Sequence, residues 1–264
     1  MKLNIVPART GTRWVRDGVR TFFRQPLAIT GLFFMFIVSI SLVAIIPFVG
    51  GVLALILVPA ATVGLMAAAR EAEAGRFPMP LTLAIALRQG PQRRRAMLLL
   101  GVLYAIGVLI VIGISALIDG GSFAELYIGG GGITTEMVED PSFRTAMWVS
   151  TLLYLPLSIA FWHAPALVHW HGVPPLKSLF FSAVAVFRNV GAFLLYGLMW
   201  MAMSFAAGLA LLVLSAVTGS ATIASFGLMP VAILIASMFF NSLWFTFRDS
   251  FSADEDPSQT APKP

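Results

Sequence analysis

The sequence predicts an all-α polytopic membrane protein. Six transmembrane helices are expected as three hairpins, each preceded by a short interfacial helix on the cytoplasmic side. Three observations predict this. Only 11% of the 264 residues are charged and 58% are hydrophobic, against roughly 25% charged in soluble domains; mean hydropathy is +0.89. The apolar residues gather into six runs near the ~20 residues that cross a bilayer. Of the 17 lysines and arginines, Arg144 alone lies in the long loop between the third and fourth runs. All the others lie on the side of Arg24, a positive-inside bias that places both termini in the cytoplasm.

Composition also excludes. The net charge of +5 invites a nucleic-acid reading, but the basic residues sit beside spans, where they set orientation. With no cysteine there is no disulfide, no thiolate metal site and no cysteine nucleophile. The first apolar run ends in Ile45-Ile46-Pro47-Phe48 rather than at a small-residue cleavage site, so it is expected to stay as the first span.

In order, residues 1–10 read as a flexible arm, 11–249 as one six-helix membrane domain and 250–264 as a disordered cytoplasmic tail rich in Pro, Asp and Glu. Residues 11–24 are strongly amphipathic. Trp14, Val15, Gly18, Val19, Phe22 and Phe23 share one half of a helical wheel, and Arg13, Arg16, Asp17, Arg20 and Arg24 the other. Such a helix is expected to lie flat in the interface with its arginines on anionic headgroups. The alternative, a solvated helix packed on a soluble partner, counts for less because a span follows at once. Spans are expected at 27–46, 49–69, 96–118, 146–168, 191–217 and 222–247, with an outer loop at 119–145. Pro26 suits a first helical position, and Ala60, Gly64 and Ala68 form a small-residue seam on the second span.

Between spans two and three, Leu81–Leu87 reads as a short apolar helix closed by Arg88, Arg93, Arg94 and Arg95, a headgroup-facing anchor. The outer loop is acidic, with Asp119, Glu125, Glu136, Glu139 and Asp140, and flexible at Gly129–Gly132. Pro156 and Pro165 are expected to bend span four. After the Gly172-Val-Pro-Pro175 turn, a third amphipathic run puts Leu176, Leu179, Phe180, Ala183, Val186 and Phe187 on one face. Lys177, Ser178, Ser182, Arg188 and Asn189 fall on the other. Interfacial run, basic stop and hairpin recur around Arg24, Arg88 and Arg188, which reads as an internal repeat.

The segments Gly18-Val-Arg-Thr-Phe-Phe-Arg-Gln-Pro26, Trp170-His171-Gly172-Val-Pro-Pro-Leu-Lys-Ser178 and Phe247-Arg-Asp-Ser-Phe251 resemble an uncharacterised family of six-span proteobacterial inner-membrane proteins. The resemblance covers roughly residues 6–251. It implies a bacterial inner membrane and brings no activity, cofactor or active site with it.

The residues argue against an enzyme, since no expected span holds an Asp, Glu, Lys or Arg and no nucleophile-base pair is visible. His163, His169 and His171 have poor spacing for a metal and no carboxylate beside them, so no metal or cofactor is expected. What remains is a membrane interaction or scaffold protein, or a lipid-associated one, holding anionic headgroups through Arg13, Arg16, Arg20, Arg24, Arg88, Arg93, Arg94, Arg95 and Arg188. A partner membrane protein is a further candidate. The alternative is a passive or weakly coupled carrier of a small apolar or zwitterionic molecule. One candidate site stands out. Thr62, His163 and Asn241 each lie about two helical turns, roughly 10 Å, inside the cytoplasmic end of an even-numbered span. They form an expected polar layer, either interhelical glue or a small polar or ionic site with His163 able to change charge near neutral pH.

The topology is open to direct test. Cysteines introduced as Ser122→Cys and Thr135→Cys are expected to react with an impermeant maleimide in intact cells, and Thr12→Cys and Ser258→Cys are not. Labelling at position 12 would overturn the orientation.

Overall fold

The computed structural model describes residues 2–129, 132 and 134–252. The tail expected at 250–264 lies outside the described residues beyond Ser252, as do Gly130 and Gly131 of the expected flexible glycine run. In chain order the protein has strand β1 (Lys2–Leu3), then α1 (Thr10–Arg24), α2 (Pro26–Ala44), α3 (Gly50–Glu73) and a 3-10 segment at Pro80–Ala84. There follow α4 (Pro91–Asp119), α5 (Ser122–Gly129), α6 (Thr135–Glu139), α7 (Pro141–Phe161), α8 (Ala164–His171) and α9 (Pro175–Arg188). Helices α10 (Val190–Thr218) and α11 (Ala221–Ser250) and strand β2 (Phe251–Ser252) complete it. Six segments among the described residues are long and apolar enough to cross a membrane: α2, α3, α4, α7 with α8, α10, and Ser225–Ser250 of α11. None of the most apolar stretch of α10 is buried inside the protein. A surface of that kind is stable only against lipid or another apolar partner.

Local chemistry explains the boundaries. Pro26, Pro91, Pro141 and Pro175 each open a helix, where the missing N–H would have had no partner. Gly120, Gly172 and Gly219 end α4, α8 and α10 in left-handed conformation, with φ of 68°, 65° and 66°, which costs glycine nothing. Pro59, Pro156 and Pro230 sit inside helices that continue through them. Two expectations change here. The short helix at Leu81–Leu87 is instead a 3-10 segment over Pro80–Ala84 followed by turns, because a proline at its start and Gly90 after it leave too few residues for a stable α-helix. The residues 1–10 are not loose throughout. Lys2 and Leu3 pair antiparallel with Ser252 and Phe251, and the Val6 amide donates to Asn189 Oδ1 at 2.8 Å.

The chain falls into two compact units. The first comprises Met1–Phe36, Thr62–Ile85 and Val184–Pro264. In it α1 packs on α10 and α11. Trp14 is fully buried, its ring centroid 5.1 Å from Phe193 and 6.1 Å from Tyr196. Phe22 clusters with Ile29, Ala72 and Met238. The expectation that α1 turns its apolar face to lipid is therefore corrected. Of that face, Trp14, Val15, Gly18 and Phe22 are buried inside the protein, Val19 is half-buried and Phe23 alone is exposed. Close approach makes this possible. A Cβ on Gly18 would collide with the Ser242 Cβ, and one on Gly11 with the Ala192 carbonyl oxygen. Asn241 Nδ2 donates to the Gly18 carbonyl at 2.7 Å.

The second unit comprises Ile37–Ala61 and Ala86–Ala183. Here α4 packs along α7, and Tyr104 and Tyr154 share a hydrogen bond of 2.9 Å between their hydroxyls. Gly101 lies where a Cβ would strike the Ile56 carbonyl. The fourth span breaks at Trp162–His163, because Pro165 cannot donate and crowds the carbonyl four residues back. Ser182 of α9 repairs the break. Its Oγ accepts from the His163 amide at 2.9 Å and donates to the Ile159 carbonyl at 2.9 Å. Helix α9 does not bury its expected apolar face as a whole: Val186 is buried, and Lys177 and Arg188 of the polar face are exposed. Ser178 and Ser182 are buried, while Leu176, Phe180 and Phe187 are exposed. The acidic loop is also more ordered than its glycines suggest. Asp119 accepts from the Gly121 and Phe123 amides at 3.0 and 2.6 Å, and Asp140 caps α7 by accepting from Ser142 at 2.8 Å. The Ser142 hydroxyl and amide hold the Asp140 carboxyl below the usual carboxylate range.

Two glycines give opposite expectations. Gly18→Ala forces α1 off α11 and is expected to cost ~1–3 kcal/mol, the cost of overpacking. Gly31→Ala, with nothing within 4 Å of the new Cβ, is expected to gain up to about 1 kcal/mol from helix propensity. Thermal unfolding in detergent reads both. A Gly18→Ala midpoint at or above the parent's would contradict the close contact.

Candidate functional site

Charge is scarce in this chain, and the first unit gathers it at one place. Both α3 and α11 run past the expected span ends at 69 and 247, so Arg70, Glu71, Glu73, Arg248 and Asp249 stand on continuous helices. Arg248 is the centre. Its Nη1 donates to Glu73 Oε1 in a short bond, its Nε donates to Asp249 Oδ1 at 2.8 Å, and its Nη2 lies 3.8 Å from Asp17 Oδ2. Glu73 also accepts from the Trp244 indole at 2.6 Å, and its backbone carbonyl accepts from Arg24 at 2.9 Å. Asp249 accepts from the Trp14 indole at 3.0 Å and from Arg13 at 3.4 Å. Arg70 and Arg248 stack on Trp244 and Phe245, 5.5 and 4.9 Å from the ring centroids. Three carboxylates and two indoles thus knit α1, α3 and α11 at one end of the unit.

Against this hub opens a cavity of about 850 Å³. Arg9 just before α1, Arg13 and Arg16 of α1 and Arg248 of α11 line it, with Asp249 as the one acid of the lining. Val6, Pro7 and Met199 give it an apolar side. Its size falls within the range of small-molecule pockets, and its charge suits an anion.

The residues singled out from sequence are distributed as follows. Thr62 and Asn241 belong to the first unit and His163 to the second. Thr62 is half-buried, Asn241 is buried on the Gly18 carbonyl, and His163 is fully buried at the start of α8. For Asn241 the contact is of the kind expected of interhelical glue. Of the arginines, Arg24 and Arg93 turn back on the chain, Arg24 to Glu73 and Arg93 to the His169 carbonyl at 2.9 Å. Arg13 and Arg16 line the cavity. Arg20, Arg88, Arg94, Arg95 and Arg188 are exposed. No group of three or more His, Asp or Glu is placed to hold a metal ion among the described residues.

Reasoning from the sequence missed the hub. Asp17 entered only as a member of a polar face, Asp249 only at the end of the last span, and Glu73 not at all; Arg9 and Arg248 counted as orientation charges. One signal was available. Asp17 interrupts the arginine series 13, 16, 20 and 24, and Glu71 and Glu73 stand between Arg70 and Arg76. Acids inside basic stretches beside spans need an internal partner.

Fold and site together define a polytopic α-helical membrane protein with a charged cluster and a basic cavity at one end of its first unit. The chain is similar to a "probable inner membrane protein" of Burkholderia thailandensis, 38% identical over 265 residues that span 99% of this chain and 98% of the relative. At that identity and coverage the chain belongs to the family of that inner-membrane protein. No protein-family model matches it, and no solved structure matches it.

The hub makes a stability prediction. Glu73 and Arg248 are about a third exposed, so the pair is screened and worth less than a buried one. Glu73→Gln is expected to lower stability by ~1–2 kcal/mol on that account, and Glu71→Gln by less, since among the described residues the Glu71 carboxylate accepts one hydrogen bond, from Thr82 at 3.4 Å. Equal thermal midpoints for the two variants would remove Glu73 from the centre of the cluster.

Proposed function

We propose that the protein is a lipid-associated membrane scaffold whose exposed arginines near the spans, on the cytoplasmic side, hold anionic headgroups. The observation that carries this reading is the state of the exposed arginines. Arg20, Arg88, Arg94, Arg95 and Arg188 form no ion pair among the described residues. Arg88, Arg94, Arg95 and Arg188 stand at or beside the start of a span, and Arg20 stands on α1, the helix before the first span. An exposed guanidinium near a negative leaflet is favoured by about 1 kcal/mol. The role is one of binding rather than catalysis.

Extraction with a styrene–maleic acid copolymer keeps a membrane protein in its own lipid and tests the reading. Particles containing this protein are expected to be enriched in anionic phospholipid over the bulk membrane. Charge reversal of Arg20, Arg88, Arg94, Arg95 and Arg188 to glutamate is expected to abolish the enrichment. Bulk composition around the parent protein would overturn the proposal.

A further inference from the structure

We propose that the cavity at Arg9, Arg13, Arg16 and Arg248 is a binding site for a phosphate ester. For the ligand's lipid origin the inference rests on the reading above; the site itself stands on separate observations. The first is unspent charge. Arg248 is committed to Glu73, Asp249 and Asp17. Arg9 forms no ion pair among the described residues. Arg13 reaches Asp249 only at 3.4 Å with half its side chain exposed, and Arg16 reaches Asp17 at 3.6 Å with 72% of its side chain exposed. Three guanidinium groups therefore face a space that holds one carboxylate, already engaged by Trp14 and Arg248.

The second observation is convergence. Positions 9, 13 and 16 are spaced by four and three residues, and Arg9, just before α1, already has right-handed helical backbone angles, so the three line up along one face. The guanidinium fork is shaped for bidentate contact with phosphate oxygens, and three forks along one wall suit a tetrahedral dianion or a diester better than a single planar carboxylate. No acid stands in the first turn of α1 to neutralise that end. The third observation is the apolar part of the lining. Val6, Pro7 and Met199 offer a free inorganic ion nothing, but they suit the carbon skeleton next to an esterified phosphate. Charged head on α1 and apolar remainder on Met199 is the contact pattern of a phospholipid headgroup.

Native mass spectrometry of the full-length protein in detergent provides the test, with phosphatidylglycerol, phosphatidylcholine and inorganic phosphate as probes. One copy of phosphatidylglycerol is expected to bind above the rest, with phosphatidylcholine failing to compete. Arg9→Ala removes no ion pair among the described residues and is expected to leave the fold intact. It is expected to weaken that copy about fivefold, and Arg9→Ala/Arg13→Ala/Arg16→Ala on the order of a hundredfold. Arg94→Ala/Arg95→Ala is expected to leave it unchanged. Saturable inorganic phosphate binding, lost in the same variants while phosphatidylglycerol is ignored, would support the site and assign it a free phosphate ester, overturning the lipid role. Phosphatidylglycerol binding unaltered by Arg9→Ala and by the triple variant would overturn the site and leave the lipid-associated reading standing. No binding of either probe to the parent protein would overturn both.

Discussion

The contact on which the first unit depends is the ion pair between Arg248 and Glu73. Two long helices, α3 and α11, carry charge at the ends of apolar spans, where an unpaired charge loses hydration without compensation. The pair removes that cost for both at once, and the remaining donors and acceptors are used as well. Trp244 donates to Glu73, Trp14 donates to Asp249, and Asp17 brings α1 to the outer side of the guanidinium. The position of α1 follows. Once Asp17, Arg13 and Trp14 are bound to the end of α11, the apolar face of α1 has to meet α10 and α11, and Gly11 and Gly18 are the residues that let it approach. The cavity is a consequence of the same arrangement. Beside the cluster, Arg9 at the start of α1 forms no ion pair among the described residues, and Arg16 meets only Asp17, at 3.6 Å.

The second unit is governed by a related constraint, the need to satisfy backbone groups away from water. Pro165 interrupts the fourth span, and Ser182 serves as donor to one side of the gap and acceptor to the other. This explains why α9 turns its serines inward and its phenylalanines outward. In a membrane the polar face of a helix is the one that needs protein, while lipid receives leucine and phenylalanine without cost. The same logic accounts for the outer loop, where Asp119 and Asp140 act as helix caps and its acidity is in part a means of starting α5 and α7.

The sequence by itself determined the class of fold. Six apolar runs, prolines at helix starts, glycines at helix ends and charge confined beside the spans are all local or compositional properties, and local properties survive translation into structure. It also marked Asn241 as a polar residue in need of a partner, and the partner proved to be the Gly18 carbonyl. Boundaries shifted because helices do not stop where hydropathy falls, so Arg70–Glu73 and Arg248–Ser250 belong to the helices before them.

Only the tertiary structure decided what each amphipathic face meets. A helical wheel for α1 separates Trp14 and Phe22 from Arg13 and Arg20, but it does not distinguish lipid from protein as the apolar partner, since both are equally dry. The hub and the cavity were out of reach for the same reason. Asp17, Glu73 and Arg248 are far apart in the chain, and their pairing is set by which helix ends the fold brings to one place. Arg9, Arg13 and Arg16 read alike along the sequence, as basic residues before a span. The end of α11 and its three carboxylate partners take up Arg248 and leave the other three facing an open cavity.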